Sequence, residues 1–184
     1  STLFPYTTLF RSTIIKKGGK TIDKYLTPFG IRSVKFDKDK GFFLNNKHLK
    51  LKGMCLHQDA GCLGTAVPDR AYERRLLILK EFGTNAIRCS HNPPSPEFLN
   101  YCDSIGFLVI DEAFDKWKSG YYEEFFDSSW QQDISDMVIR DRNHPSVILW
   151  SIGNELAEAK LKDDTGIERA GMLQDFVHQL DPSR

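Results

Sequence analysis

The run VILWSIGNE, from Val147 to Glu155, ends an apolar segment in a glycine, an amide and a carboxylate. Burying Asn154 or Glu155 costs free energy unless each has a partner, so their place at the exit of a strand suggests work to do. Three other apolar runs end in the same manner. One opens into His57-Gln58-Asp59, a second carries Arg88 and His91, and a third ends at Asp111-Glu112. Carboxyl groups gathered at one rim suit glycoside hydrolysis, in which one hands a proton to the leaving oxygen. A second then attacks the anomeric carbon or activates water. Histidines converging with carboxylates suit metal-assisted hydrolysis instead, and His57, His91, Asp111 and Glu112 form the candidate set. The chain has no H-E-x-x-H, no G-x-S-x-G elbow and no Walker loop, so zinc-helix, serine-nucleophile and P-loop chemistry lack their motifs.

These tips need elements to carry them. PDRAYERRLLILKEFG places Tyr72, Leu76, Leu79 and Phe82 on one helical face, with Gly83 as its stop. NAIRCS is a short strand. SPEFLNYCDSIG is a helix with Ser95 as N-cap, Pro96 at its first position and Gly106 as terminator. FLVIDEA is a strand, and SSWQQDISDMVIRDR a helix with Trp130, Ile134, Met137 and Val138 inward, broken at Asn143-His144-Pro145. SVILW and TGIERAGMLQDFVHQL complete a fourth strand and helix. The first strand of this series runs from about Leu49 to Leu56. Ahead of it, residues 13–36 read as short strands around a Gly18-Gly19 hairpin, and Gly41 to Leu44 as another strand.

Four strand–helix repeats imply parallel strands with crossover helices. A (β/α)8 barrel needs eight units and about 250 residues, so the chain has room for the first half of one. A doubly wound open sheet competes, but no G-x-G-x-x-G follows the first strand. In a barrel all four tips face the end where active sites of this architecture lie.

The 184 residues carry 25 lysines and arginines against 25 aspartates and glutamates. That balance argues against a nucleic-acid partner, which calls for a basic surplus. No apolar run approaches the ~20 residues that span a bilayer. The four cysteines, Cys55, Cys62, Cys89 and Cys102, have no C-x-x-C spacing and read as buried free thiols. The first twelve residues, STLFPYTTLFRS, look like a non-native leader, with an unusual β-strand as the alternative. Nothing in the sequence assigns a compartment.

The stretch RCSHNPPSPEFLNYCDSIGFLVIDEAFD followed by RDRNHPSVILWSIGNE resembles glycoside hydrolase family 2, which includes β-galactosidases, β-glucuronidases and β-mannosidases. DKYLTPFGIRSVKFDKDKGFFLNNKHLKLKGMCLHQDAGCLG resembles the join between that family's immunoglobulin-like β-sandwich and its TIM barrel. The resemblance implies domains at 13–36 (the end of the sandwich) and 37–184 (the first half of the barrel). HQDAGCLGTAVPDRAYERRL leans towards the β-galactosidases. On this likeness Glu155 is the general acid/base of a retaining exo-β-glycosidase, and Asn154 bonds the sugar 2-hydroxyl. His57 and His91 line the subsite of the non-reducing sugar, Arg88 braces the rim carboxylates, and Asp111 and Glu112 divide evenly between site and scaffold. His144 is structural.

Two departures follow. The Glu-x-His magnesium site that well-studied β-galactosidases place shortly after the DEA segment has no match in DEAFDKWKSG, so no cofactor is expected, with magnesium as the alternative. The family's nucleophile is a second glutamate on a later strand tip, and neither Glu158 nor Glu168 fits that place. The expectation is therefore a fragment of a glycosidase acting on a terminal β-linked sugar, inactive alone, with two open sheet edges that favour self-association. A β-glucuronidase or β-mannosidase of the same family, or a non-catalytic carbohydrate-binding remnant, is the alternative, and homo-oligomerisation of a longer parent stays open.

Overall fold

In the computed structural model the described residues are 9–160 and 163–184. They fall into two compact units, residues 9–50 with 143–145, and residues 51–142 with 146–184. The first unit opens on a hairpin of β1 (Leu9–Lys17) and β2 (Lys20–Phe29), turned at Gly18 and Gly19 with φ of 56° and 80°. A two-residue turn with both φ positive is the form that matches strand twist, and glycine adopts it without steric cost. Leu9 to Ser12, inside the suspected leader, pair with Leu26 to Phe29. The eight residues before them lie outside the described residues. A small antiparallel sheet follows, made of β3 (Val34–Asp37), β4 (Gly41–Leu44) and β5 (Lys47–His48).

The second unit alternates strand and helix. Strand β6 (Gly53–His57) leads to α1 (Asp69–Glu81), β7 (Ala86–Ser90) to α2 (Pro96–Ile105), β8 (Leu108–Glu112) to α3 (Glu123–Asp141), and β9 (Val147–Ser151) to α4 (Thr165–Leu180). The four strands are parallel and adjacent in chain order, β6-β7-β8-β9. No reversal of order interrupts them, and such a reversal is what marks a doubly wound sheet. All four C-terminal tips therefore share one edge of the layer.

Local signals explain the helices. Ser95 Oγ accepts from the Phe98 amide at 3.3 Å, Pro96 opens α2, and Gly106 closes it at φ 89°. Helix α3 begins five residues before the serine pair expected to open it. Glu123 and Glu124 suit the positive end of the helix, and buried Phe126 extends the stripe of Ile134, Met137 and Val138. Strand β6 is shorter than Leu49 to Leu56, because Leu49 bonds Phe42 and Lys52 donates to the Asn85 side chain. Phe82 leaves the face of Tyr72 and Leu76: it caps α1 and is 84% exposed.

The core between sheet and helices joins Leu76, Ile87, Leu99, Cys102, Phe107 and Val109. Only two of the four cysteines are buried, Cys89 and Cys102, whose thiols burial pushes well up. Cys55 and Cys62 are exposed, which corrects the expectation for both. Cys55 lies on β6, an outer strand of the sheet, and Cys62 in the loop after it. Among the described residues no helix is long and apolar enough to cross a membrane.

The contrast between two apolar residues gives a test. Leu99→Ala should cost about 2–5 kcal/mol, since Leu99 is fully buried and its cavity cannot collapse. Phe82→Ala should change stability by less than ~0.5 kcal/mol. Urea unfolding of the two variants measures both.

Candidate active site

Side chains one residue apart on a strand face opposite ways, and β8 uses both. Glu112, its last residue, points with Arg88 of β7 and Ser151 of β9 to the side away from the helices, while Asp111 points to the helix side. Glu112 is fully buried and its oxygens are taken. Arg88 donates to Oε2 from Nε at 2.8 Å and Nη2 at 2.6 Å, and Ser151 Oγ donates to the same oxygen at 2.6 Å. His91 Nδ1 sits 2.6 Å from Oε1. An ionised carboxylate only accepts, so Nδ1 carries the proton and Nε2 is left for another partner.

The other side of Arg88 reaches Asn154, whose Oδ1 accepts from Nη2 at 3.0 Å. Asn154 Nδ2 donates to Asp115 Oδ1 at 2.9 Å, and its backbone N–H to the Asp115 carbonyl at 2.7 Å. A cation on the amide oxygen and a carboxylate on the amide nitrogen define which way the group points. Burial pushes the Asp115 carboxyl up, but its bonds from Asn154 and Lys116 together hold it below the usual range.

Glu155 is left at the rim with its side chain 75% exposed. Its φ is 44°, a left-handed conformation that costs a non-glycine residue about 1 kcal/mol. Lys116 Nζ lies 3.4 Å from Glu155 Oε2 and 2.9 Å from Asp115 Oδ2. Gly153 has a steric reason. A Cβ there would stand 2.7 Å from Leu156 and 2.8 Å from Trp117 Nε1, the indole that donates to the Ile152 carbonyl at 2.6 Å. The exposed His57 meets the His91 ring edge-on at 5.2 Å.

Arg88, His91, Glu112 and Asn154 thus form one bonded group, with His57 against it and Glu155 beside it. Asp111 is not brought in. A substrate contact for Asp111 or Glu112 needs surface that neither has, both being 0% exposed. Sequence reasoning missed Asp115, Lys116 and Trp117, which lie in a loop with no periodicity. Their one signal was an acid, a base and an aromatic ring in succession after a strand.

A model of glycosyl hydrolase family 2, TIM barrel domain, matches residues 34–184. The chain belongs to glycosyl hydrolase family 2. It is 49% identical over 173 residues to a β-galactosidase of Bacteroides ovatus, BoGH2A, covering 90% of this chain and 20% of that protein. A β-glucuronidase of Bacteroides fragilis is 34% identical over 179 residues, covering 94% and 25%. The solved structure of a family 2 member from Bacteroides cellulosilyticus superposes with a TM-score of 0.85 at 47% identity, covering 94% of this chain and 23% of the other. The chain thus spans about a sixth to a quarter of the length of the curated relatives it matches.

The stretch where family 2 β-galactosidases carry a magnesium site reads Asp115-Lys116-Trp117 here. The Lys116 ammonium already stands between the Asp115 and Glu155 carboxylates, and Asp115 and Glu155 draw its pKa upward. Among the described residues no three His, Cys, Asp or Glu side chains gather as a metal-binding group. This donor set does not suit a divalent cation.

Glu112→Ala should lower stability by about 2 kcal/mol. That is less than the ~3–5 kcal/mol for a wholly buried pair, because Arg88 keeps about a third of its side chain in solvent. Glu155→Gly should instead hold or raise the unfolding free energy, by up to ~1 kcal/mol, because glycine takes the left-handed conformation freely. Denaturant titration of both variants checks the signs.

Proposed function

We propose that the chain is the acid/base half of a retaining exo-β-glycosidase that cleaves terminal β-linked sugars, with β-galactosides as the substrates. The observation that supports this most is the pairing at the tip of β9. Asn154 is held by a cation and a carboxylate, and the adjacent Glu155 is the one carboxylate of the group with most of its surface open. In this reading Glu155 protonates the glycosidic oxygen as the bond breaks and later takes a proton from the attacking water. Asn154, its amide direction set, bonds the sugar 2-hydroxyl. His57 and His91 line the non-reducing sugar, with His91 oriented through Glu112, and Arg88 holds both Glu112 and Asn154 in place.

A retaining pair needs a second carboxylate about 5–5.5 Å from the first. The candidates near Glu155 are committed elsewhere: Glu112 is buried with its oxygens occupied, and Asp115 is bonded to Asn154 and Lys116. We assign the nucleophile to chain outside these 184 residues. The same proposal makes 37–184 the first half of the barrel, 13–36 the end of an immunoglobulin-like sandwich, and 1–12 a non-native leader. The open edges of β6 and β9 are then where the missing strands pair.

A β-glucuronidase is the second reading, favoured by the B. fragilis relative of that name. The test compares nitrophenyl β-galactoside, β-glucuronide and β-mannoside. The isolated chain should hydrolyse none of them, and robust turnover by it would overturn the divided site. In a longer chain containing these residues, galactoside should be the fastest. Glu155→Gln there should slow cleavage of poor leaving groups by about 10²–10⁴-fold, and with a dinitrophenyl glycoside, whose aglycone leaves without a proton, added azide should restore turnover as a β-glycosyl azide. Loss of rate that azide does not rescue would remove Glu155 from the acid/base role.

A further inference from the structure

Asp111 presents a problem of charge that the site does not use. Its side chain is fully buried on the helix side of β8, and neither of its oxygens has a well-formed hydrogen bond, although the Glu112 backbone N–H favours its charged form. The group whose charge bears most on it is the carboxyl of Asp141, also fully buried, at the end of α3. Two carboxylates cannot bond one another unless one carries a proton. The charged and titratable groups facing Asp111 are Asp141 and Arg140 on α3 and the Cys89 thiol on β7. The one cation among them is already spent on Asp141: Arg140 donates from Nε at 2.7 Å to Oδ1 and from Nη2 at 2.6 Å to Oδ2. One guanidinium therefore neutralises one of two buried carboxyls, and an isolated buried anion gives way to its neutral form.

We propose that Asp111 is a neutral acid at physiological pH and that its proton bridges to Asp141, fastening β8 to the end of α3 beneath the rim. Burial first, and the Asp141 charge second, hold the Asp111 carboxyl well above the usual range. The bridge serves two tips at once. Asp111 precedes Glu112 in β8, and Arg140 Nη2 also donates to the Pro94 carbonyl at 2.6 Å, in the loop that leaves β7 through His91. Asp111 is thus a positioning residue: it touches no substrate and acts through the strand and the loop that carry Glu112 and His91. The inference does not depend on the catalytic reading of Glu155.

The sign of its pH dependence follows from linkage. The folded carboxyl holds its proton more tightly than the unfolded one. Its contribution is complete below the ordinary aspartate value, near pH 4, and is lost as pH rises through the folded value. Asparagine at this position keeps a donor toward Asp141 and never ionises. The experiment is urea unfolding of the 184-residue chain and its Asp111→Asn and Asp141→Asn variants between about pH 4 and 8, with infrared spectra of the protonated carboxyl band. Asp111→Asn should match the parent near pH 4 and show a higher unfolding midpoint at about pH 8. Asp141→Asn, which strips Arg140 of its anion, should be weaker throughout. At neutral pH the parent should show a protonated carboxyl band that Asp111→Asn removes and Glu158→Gln, at another buried carboxyl, does not. A constant offset between Asp111→Asn and the parent across the range, or no such band in the parent, overturns the proposal. The spectrum of the parent alone decides the matter if a variant fails to fold.

Discussion

The carboxylate of Glu112 is a buried anion that the second unit has to satisfy from two strands and a loop at once. Arg88 comes from β7, Ser151 from β9, and His91 from the loop after β7. A buried charge with this many donors fixes the spacing of what surrounds it, because moving any one strand breaks a charge-assisted bond in a medium of low polarity. Arg88 then passes the constraint onward to Asn154, and Asn154 stands next to Glu155. The rim group is therefore held partly by strands, through Arg88 and Ser151, and partly by loops, through His91 and Asp115.

Strand β8 solves the same problem in two ways on its two faces. Glu112 is compensated by three kinds of donor, a guanidinium, a hydroxyl and an imidazole. Asp111, one residue back and pointing into the helix layer, faces a carboxyl whose cation is already engaged. Ion pairing stabilises the first, and keeping a proton answers the second. Arg140 meets both oxygens of Asp141 in fork geometry, and Arg88 brings two N–H groups to one oxygen of Glu112, contacts that lysine's single ammonium does not offer. The one lysine of the group, Lys116, works at the rim instead, as a point charge between Asp115 and Glu155.

The strained and crowded positions are concentrated at the end of β9. Gly153 leaves no room for a side chain above Trp117, and Glu155 adopts a left-handed backbone. Such features persist only where surrounding contacts over-determine them, and here those contacts are the Trp117 indole, the Asp115 carbonyl and the Arg88 guanidinium. A run that reads as strand, small residue, amide and acid is in fact a tightly turned exit whose conformation the neighbouring loop enforces.

The periodic parts of this chain were legible from residues alone. Helix α2 was marked by Ser95, Pro96 and Gly106, the hairpin by Gly18-Gly19, and each parallel strand by an apolar run ending in a polar tip, because caps, turns and alternation act over a few residues. Which of two adjacent acids faces which side could not be read, since Asp111-Glu112 looks the same in either register, and only pairing with β7 and β9 decided it. The loop holding Asp115, Lys116 and Trp117 was invisible for a similar reason: its partners Asn154, Glu155 and Ile152 lie about forty positions away. Local chemistry determined the elements and named Glu155. The tertiary structure decided which charges meet, because electrostatic satisfaction in a buried layer depends on neighbours in space and not in sequence.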